Sequence, residues 1–288
     1  MKQKKEKKLK NFWEALMMEV KEHKSSAAVY FVLRALVILA LIRQALNDNY
    51  ENVFLCILTL ALMLVPSLFQ VTLKIELPTT LEIIILLFIF SAEILGEINE
   101  FYIIIPMWDT ILHTMNGFLA AAIGFSLVDI LNQSEKVKFE LSPLFLTIVA
   151  FCFSMTIGVV WEFFEFAMDQ LFLLDMQKDT IVHAIGSVML DPAGGNVAYR
   201  ITGITETVVQ GTELGLGGYL DIGLIDTMKD LLVNFIGAAV FSVIGYLHVK
   251  YRKEKGFAGR FVPRKKDADR DFLKIVEEKA EQKETPEK

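Results

Sequence analysis

Six long apolar runs, separated by short polar stretches, dominate the hydrophobic pattern of the chain. They fall near residues 28–46, 52–71, 79–98, 108–131, 144–172 and 224–249, each close to the roughly 20 residues that a helix needs to cross hydrocarbon. The pattern predicts an all-α, polytopic membrane bundle of about six transmembrane helices. Pro66 is expected to kink the second helix, and Pro106 and Pro143 stand where helices are expected to begin. Before the first run, Phe12, Trp13, Leu16, Met17 and Val20 recur at helical spacing, which predicts an amphipathic surface helix. After the fifth run comes a loop of about 50 residues, far longer than the usual connection of roughly 4 to 6. Within it, residues 196–211 are rich in β-branched side chains and broken by Gly, which predicts a small β-hairpin. Residues 175–187 also echo residues 226–238, through Asp175, Asp179, His183 and Gly186 against Asp226, Asp230, Asn234 and Gly237; a duplicated segment and chance both account for that.

Composition agrees with this picture: 53% of the 288 residues are hydrophobic and the mean hydropathy is +0.44. Cys56 and Cys152, the two cysteines, each lie inside an apolar run and read as small buried hydrophobes, not a disulfide. No nucleotide-binding loop or nucleic-acid-binding module is visible, so nucleic acid is not an expected partner. The net charge of −6 matters less than where each sign lies. Lys and Arg gather in residues 1–26, at Lys74, in the turn Glu135-Lys136-Val137-Lys138 and in the tail, whereas Asn47 to Glu51 has none. This asymmetry predicts a bacterial plasma-membrane protein with both termini cytoplasmic. The domain plan is a basic head at 1–26, a membrane domain at 27–250 with an extracytoplasmic loop at 175–222, and a charged tail at 251–288, read as a mobile extension. The first run carries Arg34 and Arg43 and lacks a small-residue cleavage site, so it reads as retained.

Ionisable groups inside such runs are costly and mark polar sites. Asp109 and His113 open the fourth run, Glu162 and Glu165 lie late in the fifth, Asp226 and Asp230 open the sixth, and Glu93 and Glu97 close the third. A rise of about 1.5 Å per residue brings all eight near the same membrane boundary. Small and polar residues share their helix faces: Asn116, Gly117 and Gly124 with His113; Gly158 and Asp169 with Glu162; Asn234, Gly237 and Gly245 with Asp230. So many carboxylates need protons, counter-charges or a metal. Lys229 and Arg200 are candidate counter-charges toward the loops. The ligand types suit Mg²⁺, Mn²⁺, Zn²⁺ or Fe²⁺ alike. The predicted metal ligands are Asp109, His113, Glu162, Glu165, Asp226 and Asp230, and Glu162, Glu165 and Asp230 are the predicted catalytic groups. Trp108 and Trp161 read as interfacial aromatic residues.

Trp-Asp-x-x-x-His-x-x-x-Gly at 108–117, Trp-Glu-x-x-Glu at 161–165 and Asp-Thr-x-x-Asp-x-x-x-Asn-x-x-Gly at 226–237 together resemble the YjdF-like family of bacterial inner-membrane proteins. The pattern is more remotely similar to the VanZ-like proteins, some of which are linked to glycopeptide resistance. Thr110 stands where those have Lys, Glu165 where they tend to have Gln, and no matching Arg precedes Asp226. The expected functions are a metal-dependent enzyme acting on a lipid or lipid-linked envelope substrate from the outer leaflet, or a proton-coupled transporter or envelope-binding protein using the same carboxylates. Membrane lipids are expected partners in every case.

Overall fold

Five helices are long and apolar enough to cross a membrane in the computed structural model of the chain, which describes residues 2–132, 141–251 and 257–282. The architecture is a helical membrane bundle, with only small strand pairs beside it. Helix α1 (Lys2–Lys21) precedes the first span, α2 (Lys24–Leu46). The second span is jointed: α3 (Tyr50–Leu62) breaks at Met63 and Leu64 before α4 (Val65–Leu73). Pro66 dictates the break, because its ring collides with the carbonyl four residues back, that of Leu62, if the helix runs straight. Lys74 then turns the chain in the left-handed conformation, φ 55°, into β1 (Ile75–Glu76).

The run expected as a third span is composite. Helix α5 (Thr79–Phe90) continues as eight residues of π-helix, Ser91–Ile98, so the six expected spans become five long helices and one segment of mixed winding. Hydropathy cannot distinguish α from π winding, which adds a residue per turn and leaves the apolar pattern intact. Gly96 fits the winding, since any Cβ there collides with the ring of Tyr102. A single turn, α6 (Phe101–Ile104), and Met107 at φ 66° lead into α7 (Trp108–Asn132). Pro106 therefore stands just outside the helix, while Pro143 opens α8 (Pro143–Phe172) as expected. The 135–138 turn lies outside the described residues.

The long loop carries three strand pairs. Strand β2 (Ile181–Val182) pairs with β7 (Tyr219–Leu220), β3 (Ala184–Ser187) with β4 (Tyr199–Thr202), and β5 (Val208–Val209) with β6 (Thr212–Glu213), all antiparallel. The predicted hairpin at 196–211 is thus corrected: its two strands belong to different pairs. Gln210 and Gly211, at φ 52° and 81°, make the tight two-residue turn between β5 and β6, the positive-φ geometry that matches strand twist. The echo between 175–187 and 226–238 does not extend to structure. The first copy is loop and strand, the second is part of helix α9 (Leu224–Tyr251).

By internal packing the chain divides into two units, Met1–Met155 with Asn234–Lys288, and Thr156–Val233. In the first, Leu81, Ala121, Phe125, Ala150, Ala238 and Phe241 are buried together, with Phe241 edge-on to Phe118 and Phe125. Small residues at 121, 150 and 238 let the backbones approach closely, which is what helix association in lipid requires. The second unit holds the strand pairs and is organised by aspartates. Asp169 accepts from the backbone N–H of Met176 and Gln177, and Asp221 from those of Thr180 and Ile225.

The tail is not a free extension over its described part. Strand β8 (Arg264–Lys265) pairs antiparallel with β1, and α10 (Phe272–Gln282) packs along α1. Phe272 and Val276, one turn apart, meet Ala15, Leu16 and Val71 in a buried cluster. Ion pairs surround it: Lys74 with Asp271 at 2.7 Å, Arg270 with Glu76 at 2.6 Å, and the buried pair Lys266 with Glu19. Overall charge had concealed a short amphipathic helix whose few apolar positions all fall on one face.

Candidate functional site

Asp109 lies in the first turn of α7, where an acidic residue complements the helix dipole. His113 follows one turn later on the same face. Its Nε2 is 3.4 Å from an Asp109 carboxylate oxygen, and its side chain is 11% exposed against 38% for Asp109. The two polar side chains therefore share one face of α7.

Below this pair, three helices are stapled together by polar groups. Asn116 Nδ2 donates to Asn234 Oδ1 at 3.2 Å, Asn234 Nδ2 approaches the Ser154 carbonyl at 3.4 Å, and Ser154 Oγ donates to the Gly117 carbonyl at 2.7 Å. Ser154 and Asn234 are 0% and 1% exposed. Glycine makes this approach feasible. A Cβ on Gly117 would overlap the Asn234 carbonyl, and one on Gly237 would overlap the Thr114 carbonyl. The backbones of α7 and α9 are therefore in direct contact here.

That crossing fixes what stands one turn earlier on each helix: His113 before Gly117, and Asp230 before Asn234. Asp109, His113 and Asp230 each offer one ligand atom, and the three atoms lie within 4.8 Å of one another. Two carboxylates and an imidazole at that separation are the ligand types that could hold a divalent cation such as Mg²⁺, Mn²⁺, Fe²⁺ or Zn²⁺.

The remaining predicted residues lie outside that group. Glu162 and Glu165 are buried on α8, at 4% and 7% exposure, and are outside that three-residue group. Glu165 accepts from the Trp161 indole N–H at 2.7 Å, so Trp161 orients a carboxylate besides facing the surroundings. Asp226 accepts from the Lys178 backbone N–H at 2.7 Å, while Gln177 Nε2 donates to Thr227 Oγ1 at 2.6 Å. Both bonds tie the long loop to the start of α9. Lys229 and Arg200 are exposed, Glu97 is exposed, and Glu93 is half-buried on the π segment. His183 bonds through Nδ1 to the Ile204 carbonyl, a loop contact. Sequence reasoning missed Ser154. Extending the Gly158, Glu162, Glu165, Asp169 stripe back by one turn reaches it.

Asp179, also in the loop, has its pKa raised, first by burial and then by the neighbouring charges of Asp175 and Asp221. The folded loop therefore holds a proton that the unfolded chain releases, and its stability falls as pH rises above the normal aspartate range. Asp179→Asn is expected to flatten that dependence in hydrogen exchange of residues 175–182. An unchanged slope overturns the assignment.

Comparison with known proteins places one family on this chain. The model of a family described as predicted membrane protein (DUF2238) matches residues 28–251, which takes in the five long helices, short of the first turn of α2, and the long loop. No curated protein and no solved structure matches. The YjdF-like resemblance is consistent with that family, and no comparison supports the VanZ-like one. With all three polar motifs inside the matched span, the chain belongs to the DUF2238 family of predicted membrane proteins.

Proposed function

We propose that this protein is a membrane-embedded, metal-dependent enzyme acting on a lipid or lipid-linked envelope substrate from the outer leaflet. The observation that carries the reading is the convergence of Asp109, His113 and Asp230. In this scheme those three hold the cation, and the cation supplies Lewis acidity and an acidified water. Glu162 or Glu165 moves the proton, because a buried carboxylate has the adjustable basicity that general acid–base work needs. Asp226 keeps the loop attached to α9 through the Lys178 backbone N–H.

Metal analysis of the detergent-purified protein tests the reading. The expected result is a stoichiometric divalent metal that is lost in His113→Ala and Asp230→Asn, while Glu162→Gln retains the metal and the fold. A chelator that leaves both metal content and thermal stability of the wild type unchanged overturns it. Proton-coupled transport with the same carboxylates is the second reading, and metal content separates the two.

The outer-leaflet orientation rests on the Lys and Arg distribution. A Cys152→Ser background carrying Thr205→Cys is expected to react with an impermeant maleimide in intact cells, whereas Asp269→Cys in the same background reacts only after lysis. The reverse pattern turns the site toward the cytoplasm and removes the envelope substrate.

A further inference from the structure

The apolar side chains of helix α1 have two fates. Ala15, Leu16, Glu19 and Val20 are buried against neighbouring elements of their own unit. Leu9, Trp13 and Met17, spaced four residues apart, form a second apolar stripe that is 59%, 47% and 39% exposed. Three observations bear on what covers this stripe.

The first is position. Helix α1 packs against both α2, at whose start it lies, and α4, which ends the second span. It therefore sits at the level where two spans meet the membrane surface. The second is charge. Residues 2–10 carry six lysines against a single glutamate, and Lys8, Lys10 and Lys21 are exposed on the same helix, together with Glu6 and Glu14. The third is residue type, since Trp is the side chain most suited to the headgroup layer, with its apolar ring and polar N–H. A second copy of the chain would oppose lysine to lysine. Anionic lipid complements the charge and accepts the apolar stripe.

We infer that α1 is a lipid-docking helix that lays Leu9, Trp13 and Met17 into the anionic leaflet while α10 braces the adjoining side, at Ala15 and Leu16. The brace explains why so lysine-rich a helix holds one orientation. Buried packing against Phe272 and Val276 fixes which face turns to the lipid.

The test uses the full-length protein in nanodiscs of phosphatidylcholine alone or mixed with phosphatidylglycerol, with and without brominated acyl chains. In a Trp108→Phe, Trp161→Phe background, Trp13 emission is expected to be blue-shifted and quenched by brominated lipid, more strongly in the anionic discs and less so at high salt. As a second measurement that leaves those tryptophans in place, a nitroxide on Met17→Cys in a Cys152→Ser background is expected to be relaxed by oxygen. One on Glu14→Cys is expected to be relaxed by a water-soluble nickel chelate. Trp13 unquenched in both lipids, with a Met17 label open to the chelate, overturns the inference. Equal quenching in both lipids overturns the anionic preference, and quenching that appears only with two copies per disc assigns the stripe to self-association.

Discussion

Gly237→Ala is expected to lower the stability of the detergent-solubilised protein by about 3 kcal/mol or more, the upper end of what overpacking costs a tightly packed interior. The cause lies in what the added methyl meets. Its neighbours are the Thr114 carbonyl and the Phe118 amide nitrogen, which belong to a helix backbone and cannot rotate away as a side chain can. Helices α7 and α9 must separate, and separation stretches the Asn116–Asn234 bond at the same level. Gly245→Ala on the same helix is the control. There the methyl meets the edge of the Phe125 ring at 3.0 Å, a group that can tilt by a few tenths of an ångström, so a much smaller loss is expected. Thermal unfolding of the two variants checks the prediction. Equal losses would mean that the α7–α9 contact is not the tight one. On the metal reading, Gly237→Ala also loses bound metal at temperatures where it remains folded, because the crossing sets the register of His113 and Asp230.

The parts of the fold legible in the sequence were those fixed by one chain segment and its solvent. Apolar runs located the ends of α2, α7, α8 and α9 to within a few residues, and Pro66 located the joint between α3 and α4. What escaped depends on partners distant in sequence. The π winding at 91–98 answers to Tyr102 beside Gly96, the pairing of β4 answers to β3 rather than to its nearer neighbour, and the order of the tail answers to α1. The candidate site divides in the same way. Asp109 with His113, and Asp230 with Asn234 and Gly237, are helical repeats that periodicity displays directly. Asp226 shares that repeat, yet its carboxylate is engaged by the Lys178 backbone 48 residues earlier, which no local pattern records.

The second large effect concerns the buried pair of Glu19 and Lys266, whose side chains are 2% and 3% exposed and which joins the head of the chain to its tail. Breaking such a pair from one side leaves a charge without its partner in a dry site, which typically costs about 3–5 kcal/mol, whereas replacing both members with uncharged groups is often neutral. Lys266→Met is therefore expected to destabilise strongly, and Glu19→Gln with Lys266→Met is expected to recover most of the loss. The pH dependence has a definite sign. Burial raises the Glu19 pKa from 4.5 to about 7 against the opposing pull of Lys266, so between those values the folded state holds a proton that the unfolded chain has released. Stability then falls as pH rises from 4.5 to about 7, and levels off once the folded carboxyl has ionised. Removing Lys266 pushes the Glu19 pKa higher still, so the penalty of Lys266→Met is smallest at acidic pH and grows as the solution is made alkaline. The double variant lacks the Glu19 carboxyl and loses the part of the slope that Glu19 contributes. Thermal unfolding across that pH range for wild type, single and double variants gives the answer. A Lys266→Met protein as stable as the wild type above neutral pH would show that the tail does not hold the head through this pair.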